Sequence, residues 1–226
     1  MKKLLMMLLM LLGTFISFAV SPEDIYDIKT KIRDLEVTVS KNPKDAAALY
    51  QLALSYEILS ENGDAKYLEN ARINFQNYLK LDPYNSVARV KYGKSLVMSG
   101  QKNWFLPAKM WFIMSGTSEM TKAAEVDPEN FNVRYIRGST CFELTEYSFC
   151  IQTAITDFEY ILSNKKLFKP YFENETINEL NYKLGYCYIY TKNYEKAFLY
   201  LDDVINNHPY SIYYAPSISL RKAYKK

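Results

Sequence analysis

The sequence predicts an all-α protein built from stacked helical hairpins, and three observations support this fold class. Apolar residues recur at helical spacing, and the first such run is Ile25, Ile28, Ile32 and Leu35. Proline follows each of four predicted helix ends, and these prolines are Pro43, Pro83, Pro128 and Pro209. The pair Asn62-Gly63, a frequent hairpin turn in sheets, lies between helical segments instead of between alternating apolar runs.

The composition excludes several classes of protein. The 226 residues are 49% hydrophobic and 23% charged, which is enough apolar material for one ordinary core. Lys and Arg number 28 against 25 Asp and Glu, so the net charge of +3 is too small for a dedicated nucleic-acid binder. One His and three Cys offer too few ligands for a usual zinc site. We therefore expect no nucleic-acid partner, no metal and no cofactor.

The N-terminal residues have the pattern of a secretory signal. Met1-Lys2-Lys3 is positively charged, Leu4–Leu12 is an unbroken apolar run, and Ser17 and Ala19 supply the small residues of a cleavage site. We expect a cleaved bacterial signal peptide over residues 1–19, export to the periplasm or the medium, and one repeat domain over residues 20–226. The alternative is an uncleaved anchor, because the apolar segment just reaches the length that crosses a bilayer.

A single helix is predicted at each end of the mature chain. Ser21 can cap the first helix and Pro22 suits its first position, and the apolar spacing continues to about Ser40. At the other end, residues 210–224 predict a C-terminal capping helix.

Between these helices, a repeated pattern resembles the tetratricopeptide repeat (TPR), a helix–turn–helix unit of about 34 residues. Its motif has Leu, Gly and Tyr in the first helix (helix A), Ala and Phe in the second (helix B), and Pro in the loop that follows. The first copy supplies Leu49, Leu52, Ala53, Tyr56, Ala71, Phe75 and Pro83. The last copy supplies Leu184, Gly185, Tyr188, Ala197, Leu201 and Pro209.

The two copies in the middle match the repeat only in outline. The second is carried by Tyr92, Gly93, Leu96, Gly116, Met120, Ala123 and Pro128. The third is carried by Gly138, Cys141, Ala154, Phe158 and Ile161. Lys166 stands where the third copy would have Pro, and the interval from Pro83 to Pro128 exceeds the usual repeat length. We expect Pro107 to begin a long helix B that runs to about Val126.

The resemblance implies a right-handed α-solenoid of about four hairpins that acts as a non-catalytic scaffold for a protein or peptide. Small residues on helices A and B would let the two helices approach closely, and a groove would be lined by helix A. The groove residues implied are Tyr50, Leu54, Val90, Lys94, Tyr135, Ser139, Tyr182 and Tyr186. The alternative function is a periplasmic protein that binds a small anionic molecule for a transporter or an envelope enzyme. No catalytic motif is present, so we do not expect an enzyme.

Three arginines depart from the repeat, because Arg89, Arg134 and Arg137 occupy positions where the family places apolar residues. A buried arginine is costly unless it is paired. We therefore expect a structural ion network, and the candidate partners are Glu119, Glu125 and Asp157. The alternative is an anion site, since arginine forks grip carboxylate and phosphate groups.

The segment Trp104–Met114 holds both tryptophans of the chain and allows two interpretations. In the first, it forms extra core under the long insert, with Trp111 packed on its own hairpin. In the second, it is an exposed lip that docks a partner or touches a membrane.

The cysteines also allow two interpretations. Cys141, Cys150 and Cys187 each stand among apolar or aromatic residues, which favours buried thiols. An odd number cannot pair completely within one chain, and the alternative is a single disulfide between Cys141 and Cys150.

Overall fold

The computed structural model describes residues 21–172 and 174–224, and this part of the chain is helical without strands. The helices are α1 (Pro22–Lys41), α2 (Ala46–Glu61), α3 (Tyr67–Leu81), α4 (Ser86–Gln101), α5 (Leu106–Val126), α6 (Phe131–Glu143), α7 (Ser148–Ser163), α8 (Asn174–Tyr190), α9 (Tyr194–Asn207) and α10 (Tyr214–Tyr224). A 3₁₀ turn, Lys169–Tyr171, precedes α8. The predicted signal peptide, residues 1–19, lies outside the described residues.

The predicted all-α architecture of helical hairpins is confirmed. Within the described residues, helix α1 precedes four hairpins, α2–α3, α4–α5, α6–α7 and α8–α9, and α10 follows them. The chain forms two compact units, and in the described residues the first ends at Arg137 and the second begins at Gly138, within α6. The single domain and the right-handed superhelix expected from the sequence stay predictions. No described helix is both long enough and apolar enough to cross a membrane.

The proline turns fold alike because the same local bonds recur. The residues before the four prolines end their helices with φ between −131° and −140°, and each donates its backbone N–H to the carbonyl four residues earlier. These residues are Asn42, Asp82, Asp127 and His208. Asp45, Asn85 and Asn130, three positions later, accept the N–H of Ala48, Ala88 and Val133 and so cap the next helix. The same side-chain cap therefore helps to set the reversal of direction at the first three of these turns.

The core of the first unit lies between successive helices. Ile32 of α1, Leu49 and Leu52 of α2 and Phe75 of α3 are buried in one cluster. A single helix cannot cover its own apolar face. Each of these helices therefore buries that face against the next helix along the chain.

Helices α4 and α5 approach each other at two glycines, as the repeat pattern predicts. A Cβ atom on Gly93 would lie 2.6 Å from the carbonyl oxygen of Gly116, and a Cβ on Gly116 would lie 2.5 Å from the carbonyl oxygen of Gly93. Both distances are shorter than van der Waals contact, so only glycine fits both positions.

In the second unit, glycines also allow close packing of helices, but here they face side chains instead of backbone. A Cβ on Gly138 would meet Phe158 at 2.8 Å, and a Cβ on Gly185 would meet Leu201 at 2.5 Å. Leu180, Leu184, Leu201 and Leu220 are among the fully buried side chains of this unit.

The irregular spacing has a simple structural origin. Helix α5 is 21 residues long, begins at Leu106 with Pro107 in its first turn, and ends at Val126, as predicted. In the third copy, the turn after α7 runs through Lys165 and Lys166 to the 3₁₀ turn that contains Pro170, and buried Phe168 ties this connection down. The missing proline turn is thus replaced by a longer connection with its own apolar anchor.

The three cysteines are buried free thiols, in agreement with the first interpretation. The Cys141 thiol donates a hydrogen bond to Cys150, which lowers the pKa of Cys150. Burial has the opposite effect at Cys187 and raises its pKa to about 12.

The glycine contact between α4 and α5 gives a testable prediction. Gly93→Ala should destabilise the fold by about 1–2 kcal/mol, because overpacking against the Gly116 backbone outweighs the better helix propensity of alanine. Thermal unfolding measures the effect.

The matched control is Gly100→Ala on the same helix, where a Cβ would meet its neighbours only at 3.0 Å. Its loss of stability should be clearly smaller. A Gly93→Ala protein as stable as the parent would show that the close approach of α4 and α5 is not required.

Candidate functional site

The predicted groove residues of the first unit differ in accessibility. Val90 is fully buried, whereas Tyr50, Leu54, Lys94 and Tyr135 are half-buried. The ring of Tyr50 lies 5.0 Å from that of Tyr78, centroid to centroid, and Tyr135 stacks on Phe131 at 5.5 Å. The tyrosines therefore contribute to packing as well as offering an edge to solvent.

Ion pairs between α2 and α4 cross the same part of the first unit. Lys91 Nζ lies 2.5 Å from Glu57 Oε2, and Lys94 pairs with Glu61. Burial raises the pKa of Glu57, and the charge of Lys91 opposes this shift. The charged side chains of this surface thus pair largely with each other.

The predicted groove residues of the second unit are largely internal. Tyr182 and Tyr186 are buried, and burial raises the pKa of Tyr182 to about 12. Tyr186 makes an edge contact with Phe142 at 5.2 Å. Ser139 is half-buried and accepts a hydrogen bond of 3.1 Å from Lys183. The groove assigned to all eight residues stays a prediction.

The arginines are anchored to backbone and carboxylate groups. Arg89 Nη1 lies 2.6 Å from Glu119 Oε2, one of the three acids considered above, and Nη2 donates to the carbonyl of Pro83 at 2.6 Å. Arg134 repeats the second bond, because its Nε donates to the carbonyl of Pro128. Each of these two arginines thus braces the proline turn six residues before it. Arg137 is half-buried, and the anion site stays a prediction.

An open groove in the first unit is the strongest candidate binding site. It encloses about 460 Å³ between α3, α4 and α5, and its lining is Gln76, Tyr92, Leu96, Trp111, Met114, Ser115, Ser118, Glu119 and Lys122. We call it the Trp111 groove. Trp111 and Met114 are each 60% exposed, so the groove presents apolar surface to solvent.

The sequence did not single out this groove, because it left open whether Trp111 packs on its own hairpin as extra core or belongs to an exposed lip. Trp111 is largely exposed, so it is not part of the core. Trp111, Met114, Ser115 and Ser118 recur at helical spacing along one face of α5, which is the signal that could have revealed the groove. Ile113, on another face of the helix, is the residue that enters the core.

A second exposed apolar feature lies at the turn between α4 and α5. Trp104, Phe105 and Leu106, which we call the aromatic tip, are 92%, 52% and 64% exposed. These residues are therefore not extra core, and their exposure agrees with the second interpretation, whereas contact with a partner or a membrane stays a prediction. Asn103 Oδ1 accepts the N–H of Phe105 at 2.9 Å and holds the turn in shape.

The second unit contains a polar cluster around Glu159 of α7. Glu159 Oε1 accepts hydrogen bonds from Tyr188 of α8 and from Tyr200 of α9, and lies 3.2 Å from Lys196 Nζ. The rings of Tyr188 and Tyr200 are parallel, with centroids 5.8 Å apart. Burial alone would raise the pKa of Glu159, but hydrogen bonds from Tyr188 and Lys196 outweigh it, and the pKa is lowered.

The same arrangement recurs in the first unit. Tyr56 of α2 holds the same motif position as Tyr188 and donates to Glu36 of α1. Its ring stacks on Tyr67 of α3 at 5.7 Å. The motif tyrosine therefore ties each of these hairpins to the helix before it, which explains part of the high tyrosine content as structural.

The adjacent acids Asp202 and Asp203 of α9 have different partners. Asp202 forms an ion pair with Arg221 of α10, and Asp203 accepts from Asn181 of α8 at 2.6 Å. The two carboxylates are thus bound to different helices. Among residues 21–172 and 174–224, no group of three His, Cys, Asp or Glu side chains is arranged to hold a metal ion.

The helices, their proline turns and their glycine contacts define a helical-hairpin repeat fold of the tetratricopeptide type. No protein-family model and no curated protein matches the sequence. A solved structure does resemble the chain: the crystal structure of TTC0263, described as a thermophilic TPR protein in Thermus thermophilus. The TM-score is 0.57 at 16% sequence identity, over 85% of this chain and 88% of that one.

The Glu159 cluster predicts a pH-dependent effect on stability. The hydrogen bonds to Glu159 favour its carboxylate form, so its pKa in the folded protein lies below the value of about 4.3 in the unfolded chain. The carboxylate therefore stabilises the fold fully at pH values above about 4.3, and this contribution is lost as the pH falls through the folded pKa. Glu159→Gln should therefore lower the melting temperature at pH 7 by about 2–4 °C, after allowance for solvent screening.

The difference in melting temperature between the parent protein and Glu159→Gln should shrink as the pH falls through the pKa that Glu159 has in the folded protein. The carboxyl group is then protonated in both the folded and the unfolded states. Glu125→Gln, at an exposed carboxylate of α5, is the control and should give no such trend. A difference that stays constant down to pH 3 would contradict the role assigned to the carboxylate.

Proposed function

We propose that the protein is an exported, non-catalytic scaffold that binds a segment of another protein in the Trp111 groove. The fold supports the general part of this proposal, because helical-hairpin repeats of this type present extended surfaces on which protein partners bind. The observation that carries it is the exposure of Trp111 and Met114, 60% each, in a groove open to solvent.

The chemistry of the groove suits a peptide segment. Tryptophan is enriched among residues that dominate binding energy, and methionine adapts its shape to different apolar partners. Gln76, Ser118 and Lys122 surround this apolar floor with polar groups that can bind a peptide backbone. Glu119 at the same groove is held by Arg89 and Lys122, so its carboxylate is fixed in position.

Export rests on the N-terminal sequence, with its lysines, its apolar run and its small residues before Val20. The chain expressed with its own N-terminus in a bacterial host should begin near residue 20 when it is recovered from the envelope or the medium. N-terminal sequencing measures this, and a protein that begins at Met1 would contradict cleavage.

Binding in the groove is tested with a peptide library displayed on phage and selected against the purified protein. For each selected peptide, Trp111→Ala and Met114→Ala should weaken binding at least tenfold, since truncation of a central anchor commonly costs about 2 kcal/mol or more. Titration calorimetry gives the dissociation constants.

Two controls separate the possible outcomes. Leu199→Ala removes a similarly exposed side chain from the second unit and should leave the affinity unchanged. Leu54→Ala and Lys94→Ala test the groove implied by the family resemblance. Peptides that are sensitive only to Leu54 and Lys94 would place binding in that groove and overturn the assignment to Trp111.

A further inference from the structure

We propose that the edge of the first unit that carries the aromatic tip contacts an anionic lipid bilayer. Trp104, Phe105 and Leu106 enter the interfacial region of the membrane, and Lys102 and Lys109 lie at the level of the headgroups. This surface is separate in function from the Trp111 groove, which remains open for a protein partner.

The first support is the chemistry of the tip. Proteins that lie in the membrane interface often combine exposed aromatic rings with lysine. The rings prefer the boundary between headgroups and acyl chains, and lysine attracts anionic lipid. Trp104 is 92% exposed, and its ring lies 6.0 Å from that of Phe105. The turn is already ordered by Asn103, so little conformational freedom is lost on contact.

The second support is charge. From Pro83 to Ser118 the sequence contains no Asp or Glu, and it contains five basic residues. Arg89, Lys91 and Lys94 pair with carboxylates of neighbouring helices. Within the described chain no ion pair involves Lys102 or Lys109, which flank the tip, so their charge is available to anionic headgroups.

The third support is the direction of the helices. Helices α2 and α4 run parallel, because Glu57 pairs with Lys91 and Glu61 with Lys94 in the same order along both helices. The end of α4, and with it the aromatic tip, therefore lies at the same edge of the unit as the end of α2.

Helix α1 brings the start of the described chain to this edge as well. The four-residue connection 42–45 makes α1 antiparallel to α2, so Ser21 lies on the side where α2 ends. The acids of the turn after α2 are paired, Glu61 with Lys94 and Asp64 with Lys66. Glu23, Asp24 and Asp27 in the first turns of α1 are exposed on the same edge, so the lipid contact is confined to the aromatic tip and its two flanking lysines.

The two tryptophans allow a direct test, since the chain has no others. The full chain with Trp111→Phe, in which Trp104 is the only tryptophan, is mixed with vesicles of phosphatidylcholine containing about one third phosphatidylglycerol. The emission of Trp104 should shift to shorter wavelength, and lipids brominated in the acyl chain should quench it. Vesicles of phosphatidylcholine alone should give less quenching.

The matched control moves the reporter to the opposite edge. Tyr84 is 80% exposed in the proline turn after α3, and the control protein carries Tyr84→Trp together with Trp104→Phe and Trp111→Phe. This reporter should not be quenched, even if the N-terminal segment holds the chain on the vesicle.

The role of charge is tested separately: Lys102→Gln with Lys109→Gln in the Trp111→Phe protein should reduce the quenching of Trp104.

Three results would overturn the proposal. The first is equal quenching of the two reporters, or no quenching of either reporter while the protein is bound to the vesicles. The second is quenching that is as strong with neutral lipid as with anionic lipid. The third is a blue shift of Trp104 that grows with protein concentration in the absence of vesicles, which would show that the tip binds a second copy of the chain.

Discussion

A Cβ atom on Gly93 would stand 2.6 Å from the backbone of α5, and this exclusion of side chains is the constraint on which the first unit depends. Close contact between α4 and α5 leaves the other faces of both helices apolar and uncovered, so they must pack against the preceding hairpin. The parallel order of α2 and α4 follows from that stacking, and the ion pairs of Glu57 and Glu61 fit this order. The arrangement of charges is therefore a consequence of backbone proximity.

This stacking gives the first unit two unlike edges. At one edge, the proline turns repeat the same φ angles and the same capping bonds, and Arg89 and Arg134 brace them from equivalent positions. At the other edge, the connections differ: one contains Gly63 at φ 96°, and the other carries the aromatic tip. Both connections keep a bond from the first residue after the helix to the carbonyl four residues earlier, but neither has the side-chain cap of the proline turns. These connections lie away from the glycine contacts, so loops at this edge can carry exposed residues such as those of the aromatic tip without disturbing the core.

The sequence predicted the features that local chemistry decides. Helix α5 has Pro107 in its first turn and ends at Val126 as expected, because proline at a helix start and a C-cap before Pro128 are short-range signals. Predicting the surface was harder. The sequence left open whether Trp111 packs or is exposed, since the helical period alone cannot tell which face of a 21-residue helix extends beyond its neighbours; the structure shows it exposed. Tyr182 and Tyr186 show the reverse case: the repeat resemblance implies an accessible side, yet both are buried. Exposure depends on packing between segments far apart in sequence, which no local pattern records.

The two tryptophans show how one long insert produces two different surfaces. Trp104 precedes the first turn of α5, where no neighbouring helix extends far enough to cover it. Trp111 lies about 10 Å further along the helix axis, beside α3 and α4, where Gln76, Tyr92 and Lys122 surround it with polar groups. A side chain at the free end of a helix meets a flat surface more easily than a concave one, whereas a side chain in a groove meets a segment that fits between helices. The two tryptophans therefore differ in exposure and in surroundings, and the difference comes from the neighbours that the stacked hairpins supply.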